Sequence, residues 1–324
     1  MNCFNPRRDL AARLAMMIAI YAIFAARLPS YYTIPGVASL LDGAFLTGVI
    51  ALGVGLTMIA GEMDLSVGSM AALAGIISIK LAPLGILPAI VVTTALAAVV
   101  GAAQGWCIAW LRINSLIFTV GTLIAFRGLA LLISNEQTAN ISLDQLDATD
   151  FLSVHWFFVS PLSLILLIAA LVISVFCSRT LWGREIFSIG GGRAEARAAG
   201  VPMGRPLIIA FALSAALAAL AGAVLSLQAG SATPLGFDAV LLDAVTACLI
   251  GGVALRGGRG SVLGIIIGLF TLRFLVSGIA SLGAPFWAQS LASGALLIAL
   301  ILVEGGYYAF ARRRAFAKSR LAAG

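Results

Sequence analysis

The chain has few of the residue groupings that carry covalent or metal chemistry. Its one histidine, His155, leaves almost no route to a Ser-His-Asp triad or a histidine-based metal cluster. The four cysteines form no CxxC pair and lie far apart, at Cys3, Cys107, Cys177 and Cys248. The nearest approach to a phosphate-binding loop, residues 257–261, lacks the Gly-Lys-Ser order. We therefore predict that this chain has no catalytic residue, no metal site and no cofactor.

Polar side chains inside apolar stretches are the remaining candidates for chemistry. Ionisable residues within membrane spans are costly and usually face a bundle interior or a water-filled cavity. Structural packing is the competing role for each of them. The candidates for a translocation path are Asp42, Asn114, Arg127, Gln228 and Asp243.

The composition indicates the kind of element that must position these residues. Hydrophobic residues make up 61% of the 324 residues, charged residues only 10%, and the mean hydropathy is +1.10. A soluble domain has about 25% charged residues, so soluble and disordered classes are excluded. We predict an all-α integral membrane protein, a single polytopic helix bundle over 1–324. The predicted spans are 10–28, 37–60, 65–80, 86–111, 113–134, 159–178, 206–229, 238–254, 261–281 and 286–309. The third and eighth are short, which favours broken or re-entrant segments.

The distribution of charge predicts the orientation of this bundle. The net charge of +7 could indicate nucleic-acid binding, but only if the charges formed a patch on a soluble surface. With ten spans, sixteen Lys and Arg fall on one side and two on the other. Positive residues collect on the cytoplasmic side, so both termini are predicted to be cytoplasmic, with a basic tail at 311–324. Residues 135–160 become a periplasmic connection, and nucleic acid is not an expected partner. A cleavable signal peptide at the N-terminus is the less favoured alternative.

The segment between the second and third spans, residues 61–69, contains a helix end followed by a helix start. Gly61 suits the end of the second span, and Asp64 or Ser66 can accept from the free N–H groups of the third. A plain capped turn explains this pattern, and so does a gate or a subunit contact.

The one sizeable cytoplasmic connection is the loop at 179–205. Residues 193–200 favour a helix because alanine, glutamate and arginine are strong helix formers, and Gly200 and Pro202 end it. A short helix between two spans suits docking into a groove on a cytoplasmic partner. A solvated positive loop is the alternative.

Taken together, these segments resemble the ribose-type permeases of bacterial ABC importers. GEMDLSVGS at 61–69 is similar to that family's G-G-I-D-L-S-V-G-S segment, and Gly121-Thr122 with 127–130 to its G-T-x4-R-G-L-A segment. The 183–200 stretch resembles its coupling loop, and 231–260 its last conspicuous block. The similarity covers about 40–303, with four motifs in the family's order.

The resemblance implies partners and residue roles. The partners would be two cytoplasmic ATPase subunits that bind ATP and Mg, a periplasmic solute-binding protein, and a second permease copy or paralogue, all at the bacterial inner membrane. The coupling loop would use Gly183, Arg184, Gly190, Glu195, Arg197 and Gly200. The permease motif would be Gly61, Asp64, Leu65, Ser66, Gly68 and Ser69. Departures at Glu62, Ser115, Gly192 and Leu241 argue against transferring a substrate preference.

Two rival functions make different demands on the sequence. An ion-gradient-driven secondary transporter of a small polar solute would depend on intramembrane acids such as Asp42 or Asp243. A membrane-embedded enzyme would need clustered histidines or acids near one membrane face, and the chain has one histidine. The favoured reading is the permease of an ATP-driven importer for a monosaccharide or a related small polar solute.

Overall fold

A computed structural model describes residues 6–142, 145, 147–299 and 301–302. The predicted basic tail at 311–324 lies outside these residues. The first six helices are α1 (Pro6–Ala25), α2 (Ile34–Ile59), α3 (Val67–Leu81), α4 (Ile86–Leu111), α5 (Ser115–Ser134) and α6 (Pro161–Arg179). The others are α7 (Leu181–Gly191), α8 (Arg193–Ala198), α9 (Gly204–Gln228), α10 (Val240–Ile250), α11 (Val262–Ser281) and α12 (Phe286–Ala299). Short 3-10 turns lie at Pro29–Tyr31, Ala82–Leu84 and Asp147–Leu152.

The helices have the lengths and caps that a membrane bundle requires. Within the described residues, seven helices are long and apolar enough to cross a membrane: α2, α3 with the turn that follows it, α4, α5, α6, α9 and α11. Hydroxyl caps begin several of them: Thr33 accepts from the Gly36 N–H at α2, and Ser160 forms a capping box with Ser163 at α6. The prediction of a multi-pass helical membrane protein is confirmed.

Helix α9 is the centre of the bundle. It packs against α2, α3 and α4, while α5 lies on the outer face of α3 and α6 against α2. Small side chains allow these approaches: a Cβ added to Gly222 of α9 would overlap the carbonyl oxygen of Ala71 in α3. The α9 face toward α2 and α3 is consequently buried, and α4 and α5 expose large apolar side chains on their outer faces.

The third and eighth predicted spans are short, as expected. Helix α3 has 15 residues and is preceded by five irregular residues, 62–66; α10 has only 11 and is preceded by the irregular connection 229–239. At 1.5 Å per residue, α10 is about 16 Å long, roughly half of a hydrocarbon core of about 30 Å. Two other predictions need correction. Asn114 lies before α5 rather than inside a span, and the loop at 179–205 contains a further helix, α7.

The connections fall into two groups at opposite ends of the bundle. Residues 60–63, 112–116, 189–193 and 255–256 line one cleft. We call this the basic end, defined by Arg112, Arg193, Arg197 and Arg256. The opposite end holds the two-stranded pair of Ala139–Asn140 with Ser231–Ala232. A small cavity there is lined by Lys80, Asn140, Ser142 and Gln145. The four connections that line the cleft are all among those predicted to be inside.

A test of this packing is substitution at Gly222. Gly222→Leu would force α9 away from Ala71, because backbone rather than a flexible side chain occupies the space. Overpacking of this kind typically destabilises by about 1–3 kcal/mol, so the melting temperature of the purified protein in detergent should fall by several degrees. The control is Gly294→Leu in α12, where a Cβ meets nothing within 4 Å. Equal melting temperatures for the two variants would contradict the α3–α9 contact.

Candidate functional site

The segment after α2 returns into the bundle and carries a buried carboxylate. Asp64 is 1% exposed. Its Oδ1 accepts from the Ser66 hydroxyl at 2.6 Å and from the Ser66 N–H at 3.0 Å, and its Oδ2 accepts from the Ser214 hydroxyl of α9 at 2.8 Å. Three donors therefore stabilise the carboxylate and fix irregular backbone inside the protein, where water cannot.

This arrangement corrects the expected cap of α3. Ser66 does occupy the N-cap position, but its side chain makes no cap bond to the first turn. Its hydroxyl donates to Asp64, and its oxygen accepts from the Gln104 amide rather than from the first turn of α3. The segment is thus more than a capped turn: it is a hydrogen-bonded loop in the bundle interior.

A second set of polar groups extends the network to α4 and α5. The Gln104 amide of α4 donates to Ser66 Oγ at 3.3 Å and to Thr122 Oγ1 of α5 at 2.7 Å. The Met63 N–H donates to Ser115 Oγ at 3.2 Å, and the Thr119 hydroxyl donates to the Met63 carbonyl oxygen at 3.3 Å. The 62–66 segment is consequently bonded to three helices. Nothing in the sequence spacing connects Gln104 or Ser214 with Asp64, and both were missed as partners.

The remaining motif residues surround this loop. Gly61 follows α2 with φ of 80°, a conformation that favours glycine. Ser69 is buried, Leu65 is half-buried, and Gly68 lies against the carbonyl oxygen of Phe237, 2.8 Å from where a Cβ would be. The six motif residues therefore hold α3 against both the basic-end loop and the 229–239 connection.

Three backbone segments meet at the basic end through glycines. The Gly258 N–H donates to the Ile59 carbonyl oxygen at the end of α2, at 2.8 Å. A Cβ on Gly190 of α7 would overlap the same carbonyl, and one on Gly257 would lie 2.7 Å from Gly61 Cα. These glycines allow a close approach of backbones that joins α2, α7 and the turn before α11.

Ion pairs hold the α7–α8 elbow, which we define as residues 181–200, on the bundle. Arg193, the first residue of α8, pairs with Glu62, and Arg205 pairs with Glu185, the Arg205 Nε lying 3.1 Å from Oε2. Glu62 had been seen only as a departure from the family pattern. Its side chain is only 11% exposed, while that of Arg193 is 56% exposed.

The predicted coupling residues divide into packed and exposed sets on this elbow. Gly183 is buried against the end of α6, and Gly190 is packed on Ile59. Arg184, Glu195 and Arg197 are exposed, and Gly200 follows α8 with φ of 80°. The helix predicted for this loop is confirmed at Arg193–Ala198.

A cleft opens beside the elbow at the basic end. It has a volume of about 850 Å³ and is lined by residues from four connections, including Arg112, Asn114 and Arg256. A narrower cavity of about 240 Å³ next to it is lined by Arg197 and Glu62. Asn114 accepts from the Leu116 N–H at 2.8 Å as the cap of α5 and is exposed. This end therefore presents a positive groove with one partly buried acid.

Three of the other candidate path residues lie elsewhere. The Asp42 Oδ2 is 2.7 Å from His155 Nε2, and its Oδ1 accepts from the Ser160 hydroxyl, which joins α2 to the 153–160 segment. Gln228, the last residue of α9, donates to the Leu152 carbonyl oxygen at 3.4 Å. Asp243 is half-buried on α10. Asp42 and Gln228 thus stabilise the opposite end. In the turn between α1 and α2, burial of its phenol raises the pKa of Tyr31.

The fifth candidate, Arg127 of α5, is paired with an acid. Its guanidinium lies 2.5 Å from Asp238 Oδ2, in the irregular stretch before α10. Asp238 was missed as a candidate because it sits at the edge of a predicted span. The structure therefore brings Arg127 together with a residue 111 positions away, and not with Asp42, Gln228 or Asp243.

Apolar helices, two irregular segments and one ion-paired elbow make up the described bundle. The comparison with protein families gives its class. Residues 36–301 match the family described as branched-chain amino acid transport system / permease component. The chain belongs to this family.

Individual relatives are known from bacteria. The autoinducer 2 import system permease protein of Photorhabdus luminescens is 30% identical, covering 94% of this chain and 92% of that protein. The xylose transport system permease protein of Escherichia coli K12 is 29% identical, with 93% and 94% covered. The ribose import permease protein of the same strain is 29% identical, with 90% and 92% covered. No solved structure matches at a significant level. The relatives are transport permeases and not enzymes.

Substitutions at Asp64 test the buried network. Asp64→Ala leaves the donors of Ser66 and Ser214 without an acceptor, which costs about 1–3 kcal/mol for each buried group. Since about 1 kcal/mol of unfolding free energy corresponds to a few degrees of melting temperature, the melting temperature of the purified protein should fall by roughly 5 °C or more. Asp64→Asn keeps an acceptor for Ser66 and can donate to Ser214 Oγ, so it should stay near the parent. If both variants lose stability equally, the negative charge rather than the hydrogen bonding holds the loop.

Proposed function

We propose that this chain is the membrane subunit of an ATP-driven importer that moves a monosaccharide or a related small polyhydroxylated solute into the cytoplasm. The observation that carries the proposal is the α7–α8 elbow. Its Gly190 packs on the Ile59 carbonyl at the end of α2, and its Arg193 pairs with Glu62, two residues from the buried Asp64. A partner that pushes the elbow therefore pushes the loop that begins α3.

The proposed orientation has ten crossings with both termini in the cytoplasm of a bacterial inner membrane. In support, the basic end collects the predicted inside connections, and the opposite end, with 135–160, collects the predicted outside ones. In this orientation the basic end faces the cytoplasm under the positive-inside rule. Helices α1, α10 and α12 would supply the three crossings beyond the seven long apolar helices.

The ATPase is proposed to dock on the exposed face of the elbow. Arg184, Glu195 and Arg197 are exposed, with Arg197 beside the 240 Å³ cavity, while Ala196 and Ile189 are buried. ATP and Mg would be bound by that partner. Its closure would move the elbow together with Glu62 and the start of α9, because the Glu62–Arg193 and Glu185–Arg205 ion pairs connect them. This chain supplies transmission and a path, and no catalytic group.

A second permease copy or a paralogue is proposed to cover α5. This helix is the least buried of the seven long apolar helices, and Gly121 and Gly128 would each present a Cβ to open space. Glycines on a bare helix face permit the close approach of another helix. The solute-binding protein would then deliver its ligand at the opposite end, between the two copies.

The proposed solute class follows from the relatives. Those named above carry autoinducer 2, xylose and ribose in their printed names, whereas the family description names branched-chain amino acids. We favour a polyhydroxylated solute because the individual relatives align over nearly the whole chain. The rival, an ion-coupled transporter, would need a free intramembrane acid, and Asp42 is engaged by His155 and Ser160.

Docking can be tested by reversing one charge on the elbow. Arg197→Glu should reduce co-purification of the ATPase and ATP-dependent solute uptake at least tenfold, a loss of about 1.4 kcal/mol or more in binding. The matched control is Lys80→Glu at the opposite end, which should leave co-purification unchanged. Uptake that survives collapse of ion gradients and stops on ATP depletion supports the importer. Normal coupling in Arg197→Glu would mean that the elbow is not the docking surface.

Orientation can be tested by labelling from outside. In a cysteine-free background, Asn140→Cys should react in intact spheroplasts with a membrane-impermeant maleimide, and Arg256→Cys should react only after lysis. The reason is that these residues lie at opposite ends of the bundle. Reaction of both before lysis, or the reverse pattern, would contradict the proposed sidedness.

A further inference from the structure

The connection 229–239 enters the bundle from the opposite end. It begins after α9 and first forms the strand Ser231–Ala232, which pairs with Ala139–Asn140. Helix α10, which follows it, has 11 residues and covers about 16 Å. Because a crossing needs about 30 Å, the irregular connection has to cover the remaining depth. Lipid cannot satisfy its backbone, so it must lie against protein or water.

The inner tip of this connection lies against the start of α3. The Phe237 carbonyl oxygen lies over Gly68, in the first turn of α3. The other irregular segment, 62–66, reaches the same turn from the basic end. Two broken elements from opposite ends therefore meet at one level of the bundle, with one glycine between them.

The residue after Phe237 forms the ion pair with α5. Asp238 meets Arg127 at 2.5 Å, and their side chains are 48% and 40% exposed. Arg127 is twelve residues after the start of α5 and seven before its end, so it lies about 10 Å along the helix axis from the nearer end. Half-exposed charges at this depth are costly against lipid and are found facing water-filled cavities. The exposed side of the pair is thus a wetted surface and not a lipid-facing one.

We propose that the Arg127–Asp238 pair is a latch in a water-lined solute path, closed when the two side chains are paired and opened when solute hydroxyls replace each partner. This inference rests on the proposed function, because it assigns the path and its selectivity within that transporter. The latch holds the 229–239 connection between α3 and α5. Releasing it frees that connection from α5 while α3 keeps its buried anchor at Asp64.

The chemistry of the pair suits a neutral polyhydroxylated solute. A guanidinium offers five donors in a plane and a carboxylate offers acceptors only. Neighbouring hydroxyl groups can accept from the first and donate to the second, so both charges stay hydrogen-bonded when the pair separates. An apolar solute that displaced water from the pair would offer neither, and it would leave two unpaired charges. Opening the latch therefore has a smaller free-energy cost for hydroxyl-rich solutes than for apolar ones.

The first experiment tests whether the latch faces water. Arg127→Cys and Asp238→Cys are made in a full-length protein lacking Cys3, Cys107, Cys177 and Cys248, assembled with its ATPase. The matched control is Leu167→Cys, at a similar distance from the opposite end on α6 and 65% exposed. The charged, impermeant reagent MTSET should react with both latch cysteines at least about tenfold faster than with the control, since thiols in lipid do not ionise. Equal rates overturn the water-lined path.

The second experiment tests the latch by charge exchange. Arg127→Asp and Asp238→Arg each place like charges together, and each should reduce uptake of radiolabelled ribose or xylose about tenfold or more. The double exchange restores the pair and should recover uptake to within about threefold of the parent, as coupled residues do in a double-mutant cycle. Unchanged uptake in the single variants, or no recovery in the double variant, overturns the latch.

The controls separate the latch from the proposed function. ATPase co-purification and a monodisperse elution profile identify the variants that fold and assemble. If the parent importer takes up neither ribose nor xylose with ATP, the proposed function is contradicted. The MTSET rates do not depend on uptake, and they alone test whether the Arg127–Asp238 pair faces water.

Discussion

The need to satisfy backbone hydrogen bonds away from water governs this structure. Helices do so within themselves, so the bundle needs special chemistry only where a helix is broken. At 62–66 the Asp64 carboxylate, with Ser66, Ser214, Ser115 and Thr119, provides that chemistry. The carboxyl group stays buried because its two oxygens accept three hydrogen bonds, and this fixes where α3 begins. The position of α3 in turn fixes α5 and α9, which pack on it.

The same constraint explains why glycines occur where segments meet. At the basic end, the donated bond from Gly258 to Ile59 leaves no room for side chains, and Gly190 and Gly257 lie on either side. Two backbones in direct contact, without side chains between them, cannot absorb a displacement by changing rotamers. Displacement of the α7–α8 elbow is therefore passed to the end of α2 instead of being absorbed by rotamer changes. A flexible side chain at Gly190 would weaken that transmission.

The sequence predicted the helical membrane architecture because that signal is local. Apolar length, charge position and Gly or Pro breaks gave the bounds of the seven long apolar helices to within a few residues, and the two short predicted spans match α3 and α10, each preceded by irregular backbone. Partners were not predictable in the same way. Ser214 lies 150 residues from Asp64, and Asp238 lies 111 residues from Arg127. Pairing at such separations is set by the folded arrangement of α3, α5 and α9, and a single sequence carries no periodicity that reports it. Asn114 was misplaced because a cap and a span residue look alike at an apolar boundary.

The two broken elements are anchored unequally, and this difference bears on how a path could alternate. Asp64 and Ser66 of the 62–66 segment are buried, and the segment is bonded to three helices, so moving it would leave several donors without acceptors. The 229–239 connection has a short strand at one end and a half-exposed ion pair at the other, and water can replace the partners of both. Its displacement therefore has a smaller free-energy penalty than that of 62–66. Opening of the path from the opposite end should therefore begin with displacement of 229–239. The 62–66 segment should stay in place and close the path at the basic end until the elbow is moved.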